Sequence, residues 1–188
     1  MNVSDDSNRV QGSVEVTRIL DKDGNPMRMG SIYPGSLDDP QAIPSPEFPQ
    51  SLGDNLVVNL GRTVIARLLG GLGGPSDVIS RVSFGTGSEA PRYDDATLSP
   101  QRGGVFDGGE NQLEISTGVT KKGFSGVDFP GSYLVRFAFA IDYNECNGFI
   151  IREAGLWTLG NTLFARKTFP GIMKSGDQRV EMAWTIRA

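Results

Sequence analysis

The chain contains no histidine. Histidine is the commonest general base, the usual pH switch and the commonest metal ligand, so those roles fall to other side chains or are not played. A Ser-His-Asp or Cys-His triad cannot be assembled within the chain. Cysteine is nearly as scarce. Cys146 is the single one, so no internal disulfide can form, and neither a zinc site nor an iron–sulfur cluster can be built on it alone. No stretch approaches the roughly 20 apolar residues that span a bilayer. The opening residues, Met1-Asn2-Val3-Ser4-Asp5-Asp6, lack the basic start and apolar run of a secretory signal. The formal net charge of −4 weighs against a surface built for phosphate backbones. A cytoplasmically made protein with no membrane partner, no nucleic-acid role and no cofactor is expected.

What is present suffices for a folded body. At 188 residues the chain has the length of one domain, or one domain with an arm. A body of that size buries roughly 70 % of its unfolded surface and needs no disulfide. Hydrophobic residues make up 38 % of the chain, unevenly placed. Residues 1–50 are poor in large apolar groups and rich in Pro, Asp, Ser and Gly. Within them Val14-Glu15-Val16-Thr17-Arg18-Ile19-Leu20 alternates, and Asp21-Lys22-Asp23-Gly24-Asn25-Pro26 reads as a hairpin turn. Pro34, Pro40, Pro44, Pro46 and Pro49 then punctuate an extended segment that cannot be helical. Such an arm has no core of its own and is expected to be held by contacts with neighbouring subunits.

Residues 51–188 read as the folded domain. Asp54 is a suitable N-cap for a helix over 55–69, with Val57, Leu60, Val64 and Leu68 on one stripe and Gly70-Gly71 ending it. Short alternating or β-branched runs follow at 78–84, 112–119, 132–142, 149–152, 163–169 and 180–187. Strands separated by Gly-rich turns predict a mainly β fold, an antiparallel sandwich with the helix packed on it. The polar, Gly-rich segment 99–110 is expected to be a long contact loop.

Several patterns look chemical and have plainer readings. Asp21-Lys22-Asp23-Gly24-Asn25 opens like a calcium loop, but Gly falls at position 4 and Ile32 at position 12, where a bidentate Glu is needed. Gly85-Thr86-Gly87-Ser88 lacks the Lys of a phosphate-binding loop. Glu153 in an apolar run has the surroundings of a catalytic acid, yet pairing with Arg136, Arg152 or Arg166 is the plainer role; an acidic cluster with Asp142 and Glu145 is the alternative. Trp157 and Trp184 suit either a sugar-stacking platform or a packed core.

One ordered set of fragments carries a resemblance. A helix is followed by Gly85-Thr86-Gly87-Ser88-Glu89-Ala90-Pro91 and Asp95-Ala96-Thr97-Leu98. Later come Arg152-Glu153-Ala154-Gly155-Leu156-Trp157, Leu163-Phe164-Ala165-Arg166 and Ile172-Met173-Lys174, then a final strand. This order resembles a group of tailed-bacteriophage virion proteins, the small neck or collar proteins and the collar domain of some tail fibres. The resemblance covers residues 55–188 and leaves the arm out. Fibres continue into a shaft, whereas this chain stops at Ala188 after its last strand. The resemblance therefore implies a non-enzymatic ring, connector or fibre-attachment subunit of the virion, assembled in the host cytoplasm through contacts with itself and with other neck, tail or fibre proteins. A baseplate or tail-tip component and a carbohydrate-binding sandwich are the alternatives. The candidate structural and interface residues are Val14, Val16, Ile19, Ile32, Tyr33 and Phe48 in the arm, Phe106 in the loop, and Arg152, Glu153, Arg166 and Lys174 in the body.

Overall fold

The computed structural model describes residues 10–27, 50–98 and 121–187. They form one nine-stranded antiparallel sheet, curled into a half-barrel, with a single α-helix among the described residues. In chain order the strands are β1 (Gln11–Leu20), β2 (Gln50–Val57), β3 (Ile79–Gly85), β4 (Lys122–Gly123), β5 (Gly126–Gly131), β6 (Leu134–Ile141), β7 (Ile150–Thr158), β8 (Leu163–Met173) and β9 (Arg179–Arg187). Their order across the sheet is β4-β3-β7-β8-β2-β1-β9-β6-β5. The helix α1 (Asn59–Leu69) lies between β2 and β3 in sequence.

Alternation drives the main core onto one face of the sheet. Val14 and Val16 on β1, Phe137, Phe139 and Ile141 on β6, and Val180, Met182, Trp184 and Ile186 on β9 are all buried, as a period of two requires of a strand with one buried face. Curling brings strands distant in sheet order together: Phe84 on β3 meets Phe139 on β6 at 5.8 Å between ring centroids. Phe124, between β4 and β5, sits against both Phe137 and Phe139.

Two expectations from the sequence change here. The run at 14–20 is not part of a separable arm. It is the interior strand β1, paired with β9 along its whole length and with β2 on the other side. A boundary at residue 50 thus cuts between two paired strands. The second change is the start of the helix. Residues 50–57 form β2, and α1 begins only at Asn59, with Val58 at the cap position and no side-chain cap. Asp54 sits in the strand instead. Gly53, at φ +86, makes the bulge that lets one side of β2 pair with β1 and its last two residues, Leu56 and Val57, pair with β8. Where the helix was expected to begin, Asn55 pairs with β1 and Leu56 and Val57 pair with β8, and this ladder outweighs helical spacing. The helix itself rests on β8 through Gly61 and Val64, while Leu60 and Leu68 of the expected stripe are exposed.

The turn after β1 forms as expected. Asp21 Oδ1 accepts the amides of Asp23 and Asn25 at 2.9 and 2.8 Å, and Leu20 bridges to Pro26. The expected strand at 112–119, the loop 99–110 and the Pro-rich stretch from Pro34 to Pro49 lie outside the described residues. No helix among the described residues is long and apolar enough to cross a membrane.

Candidate functional site

The residues Glu153, Gly155 and Trp157 alternate along β7 with Ala154 and Leu156, which belong to the main core. They therefore face the opposite side of the sheet. On that side Trp157 packs with Val58, Leu98 and Leu163 in a second, smaller apolar cluster. Gly155 is required there. A Cβ at this position would lie 2.7 Å from Leu98 Cδ2 and 3.0 Å from Leu163 Cδ1, so the absent side chain is the socket into which Leu98 fits.

Beside this socket lies a buried charge cluster. Arg166, on β8, is 1 % exposed, Glu153 0 % and Asp95 3 %. Arg166 stands opposite Gly155 in the ladder, one diagonal step from Glu153. Its Nε donates to Glu153 Oε2 at 2.9 Å, and Nη2 lies at the same distance from that oxygen. Nη1 donates to Asp95 Oδ2 at 2.7 Å, and Nη2 also donates to the Glu89 carbonyl at 3.0 Å. The carboxylates hold the loop in turn: the Gly87 amide donates to Glu153 Oε1 at 3.1 Å and the Arg92 amide to Asp95 Oδ2 at 2.9 Å. The planar fork of an arginine suits this task, because it presents several donors in fixed directions at once. The segment 86–98 is thereby tied to β7 and β8. It is tied again to the helix by the Asn59 amide, which donates to the Tyr93 carbonyl at 2.7 Å, and by Arg62, whose guanidinium lies 4.5 Å from the Tyr93 ring.

Lys174 makes a second tie, at the other end of β8. It is 1 % exposed, and its ammonium donates to the Ser175 carbonyl at 2.8 Å and to Asn147 Oδ1 at 3.1 Å. Burial pushes its pKa down, while Cys146 and Glu145 nearby push it back up. Together these contacts pin the turn 142–149 that joins β6 to β7. That turn carries Cys146 in the left-handed region at φ 52, with its thiol pushed up to about 11 by burial and by the Glu145 carboxylate. A thiol so raised is a poor nucleophile at neutral pH.

A third polar feature runs along the surface. Arg18 pairs with Glu181 at 2.7 Å, Glu181 with Arg179, Arg179 with Asp142 at 2.8 Å, and Lys122 bridges Asp142 at 3.3 Å and Glu145 at 2.6 Å. Asp142 and Glu145 are thus neighbours, as the acidic-cluster reading had them. Glu153 is not with them; its carboxylate is spent on Arg166 and Gly87. No group of three or more His, Cys, Asp or Glu residues suited to a metal ion occurs among the described residues.

Of the candidates read from sequence, the structure joins Glu153 and Arg166 directly and places Lys174 at a separate tie. Arg152 is half-buried beside the bulge at Gly171. Val14, Val16 and Ile19 are each 0 % exposed within the chain's own core, which corrects their assignment as contact residues: nothing of them is left for a partner. Ile32, Tyr33, Phe48 and Phe106 lie outside the described residues. Asp95, Gly87, Leu98 and Gly155 were present in the motif fragments but carried no role, because their partners lie up to 71 residues away. Trp157 is 3 % exposed and Trp184 0 %. The indole of Trp157 donates to Ser83 Oγ at 2.6 Å, and Lys121 lies 4.2 Å from its ring. Neither indole offers a face to a sugar.

Compared with protein-family models, curated proteins and solved structures, the chain finds no significant match.

Proposed function

We propose that this chain is a non-enzymatic structural subunit of a tailed-phage virion, a neck or collar connector or fibre-attachment adaptor that works through oligomeric protein–protein contacts. The observation that supports this reading most is the convergence on Arg166. Gly87 from the Gly-x-Gly turn, Asp95 and Leu98 from the Asp-Ala-Thr-Leu fragment, Glu153 and Gly155 from the Glu-Ala-Gly-Leu fragment, and Arg166 from the Ala-Arg fragment all meet at one buried place. A guanidinium shared between two enclosed carboxylates and a carbonyl acts as a tie, and what it ties is a surface segment.

Burying such a cluster is costly in desolvation, and apolar residues of similar volume would commonly be as stable. What the polar version provides is one fixed position for residues 86–98, presented beside α1. A rigidly presented surface with its charges internally satisfied suits a docking protein better than a catalyst, whose carboxylates must reach substrate. The finer architecture belongs to the same proposal: an antiparallel sandwich preceded by a Pro-rich arm. Its support is that β3 and β6 face each other through Phe84 and Phe139 across a shared core. A baseplate or tail-tip position would use the same features. The carbohydrate-binding alternative is less favoured, because both tryptophans are buried and the half-exposed Tyr93 lies against Arg62.

The test is the protein content of tailed particles purified by density gradient from a host carrying the gene, read by quantitative mass spectrometry. The chain should be present at a fixed number of copies per particle. Particles that are complete and lack it would overturn the reading.

A further inference from the structure

The turn between β6 and β7 brings a lysine amine onto a side-chain amide. Glu145-Cys146-Asn147-Gly148 lies in this turn, and Lys174 directly follows the last residue of β8. Two backbone hydrogen bonds set them side by side: the Gly148 amide donates to the Lys174 carbonyl at 2.9 Å, and the Lys174 amide to the Phe149 carbonyl at 3.1 Å. From that position the Lys174 ammonium donates to Asn147 Oδ1 at 3.1 Å. A C=O bond is about 1.23 Å long, so Asn147 Cγ lies at most about 4.3 Å from Nζ. A shift of about 1 Å brings nitrogen and carbon to the separation of a near-attack geometry.

The surroundings of the amide suit substitution at Cγ. Its Nδ2 donates to the Tyr143 carbonyl at 2.8 Å, and a Cβ on Gly176 would lie 3.4 Å from Nδ2 and 3.8 Å from Cγ. The amide is thus steadied by the chain on both sides, at 143 and at 176. Asn147 is nonetheless exposed, which gives released ammonia an exit to solvent. Lys174 is the opposite case. It is enclosed, and burial favours its neutral, nucleophilic amine against the pull of Cys146 and Glu145.

An asparagine followed by glycine has a competing fate, because glycine lets the backbone approach closely. The next backbone nitrogen attacks the same Cγ, closes a succinimide and releases the same ammonia. Here the Gly148 N–H is engaged by the Lys174 carbonyl. One residue therefore occupies the backbone nucleophile and presents its own amine in its place. Cys146, the other nucleophile of the turn, is kept as a thiol by burial and by Glu145.

We propose that Lys174 Nζ and Asn147 Cγ join in an isopeptide bond that ties the β6–β7 turn covalently to the end of β8. The ammonium first releases a proton to solvent. The amine lone pair then forms the Nζ–Cγ bond, the Cγ–Nδ2 bond breaks, and Nδ2 takes a proton from the attacking nitrogen and leaves as ammonia. In solution the ammonia takes up the proton released at the start. Nothing is oxidised or reduced, and no co-reactant is needed. The inference goes beyond the structural role proposed above and does not depend on it.

The experiment uses the purified full chain, denatured for intact-mass measurement and then digested with trypsin. The principal species should be about 17 Da lighter than the sequence, one ammonia having been lost. A succinimide at Asn147 gives the same loss, and the digest separates the two. Trypsin does not cut after an acylated lysine, so residues 137–152 and 168–179 should appear as one branched peptide. Lys174→Arg keeps the charge, cannot form the bond and should show the full mass of its own sequence. Should that variant fail to fold, the wild-type digest decides alone. Separate wild-type peptides 137–152 and 168–174 would overturn the inference, whether Asn147 is unchanged, closed to the succinimide or hydrolysed to a product about 1 Da heavier.

Discussion

Arg166 and Asp95 lie 71 residues apart in sequence, yet Nη1 of the one donates to Oδ2 of the other at 2.7 Å with both side chains almost fully enclosed. The pair fixes the end of the 86–98 segment against β8. Most of the segment is exposed between Ser88 and Asp94, and its buried apolar contact is made by Leu98 in the Gly155 socket.

Removing one member of that cluster leaves the others buried and uncompensated. Arg166→Met should destabilise the fold by about 3–5 kcal/mol, read as a lower urea midpoint. Arg166→Lys should recover only part of this, because an ammonium cannot serve Glu153, Asp95 and the Glu89 carbonyl in the same plane. A midpoint for Arg166→Met equal to wild type would show that the cluster is not a tie.

The surface chain of charges predicts acid sensitivity. Burial alone would raise the Asp142 carboxyl, but the hydrogen bond from Arg179 and the charge of Lys122 overcome it and hold the group below its ordinary 3.8. A carboxyl depressed in the folded state contributes stability above its ordinary value and loses it as pH falls through the folded one. The urea midpoint should therefore fall as pH drops below about 3.8, and Asp142→Asn should flatten that part of the profile. An identical slope in the variant would exclude Asp142 as a contributor.

Two glycines near the helix separate packing from backbone strain. A Cβ on Gly61 would meet the Phe164 carbonyl oxygen at 2.1 Å, so Gly61→Ala must lift α1 off β8. We expect a loss of about 1–3 kcal/mol or more. Gly71 has φ +71 and nothing within 4 Å of a Cβ, so Gly71→Ala should cost about 1 kcal/mol, from the left-handed backbone alone. Thermal melts of the two variants should rank in that order.

The Cys146 thiol should be protected in the native protein. It is 4 % exposed and pushed up to about 11 by burial and Glu145. Its reaction with an aromatic disulfide at pH 8 should be on the order of a hundredfold slower than that of an unperturbed thiol, and should become fast in urea. Rapid native labelling would mean that the turn 142–149 opens readily despite the Lys174 tie.

Much of this protein was determined by local sequence. The alternation at 14–20, 134–141 and 180–187 puts apolar side chains on one face wherever the strand pairs, and Asp21 closes its turn with amides two and four residues away. Absent histidine and a lone cysteine exclude whole classes of chemistry whatever the fold. Other features depended on partners far off in the chain. Residues 55–57 fit the expected helix and become the end of a strand, because β1 pairs with Asn55 and β8 with Leu56 and Val57. Val14, Val16 and Ile19 read as an arm's contact residues and become core because β1 is paired on both sides. Glu153 alone offers several partners in sequence; only the adjacency of β7 and β8 and the return of 86–98 select Arg166. Periodicity acts over a few residues and is legible there, whereas burial, pairing and charge compensation are set by neighbours that the tertiary structure brings together.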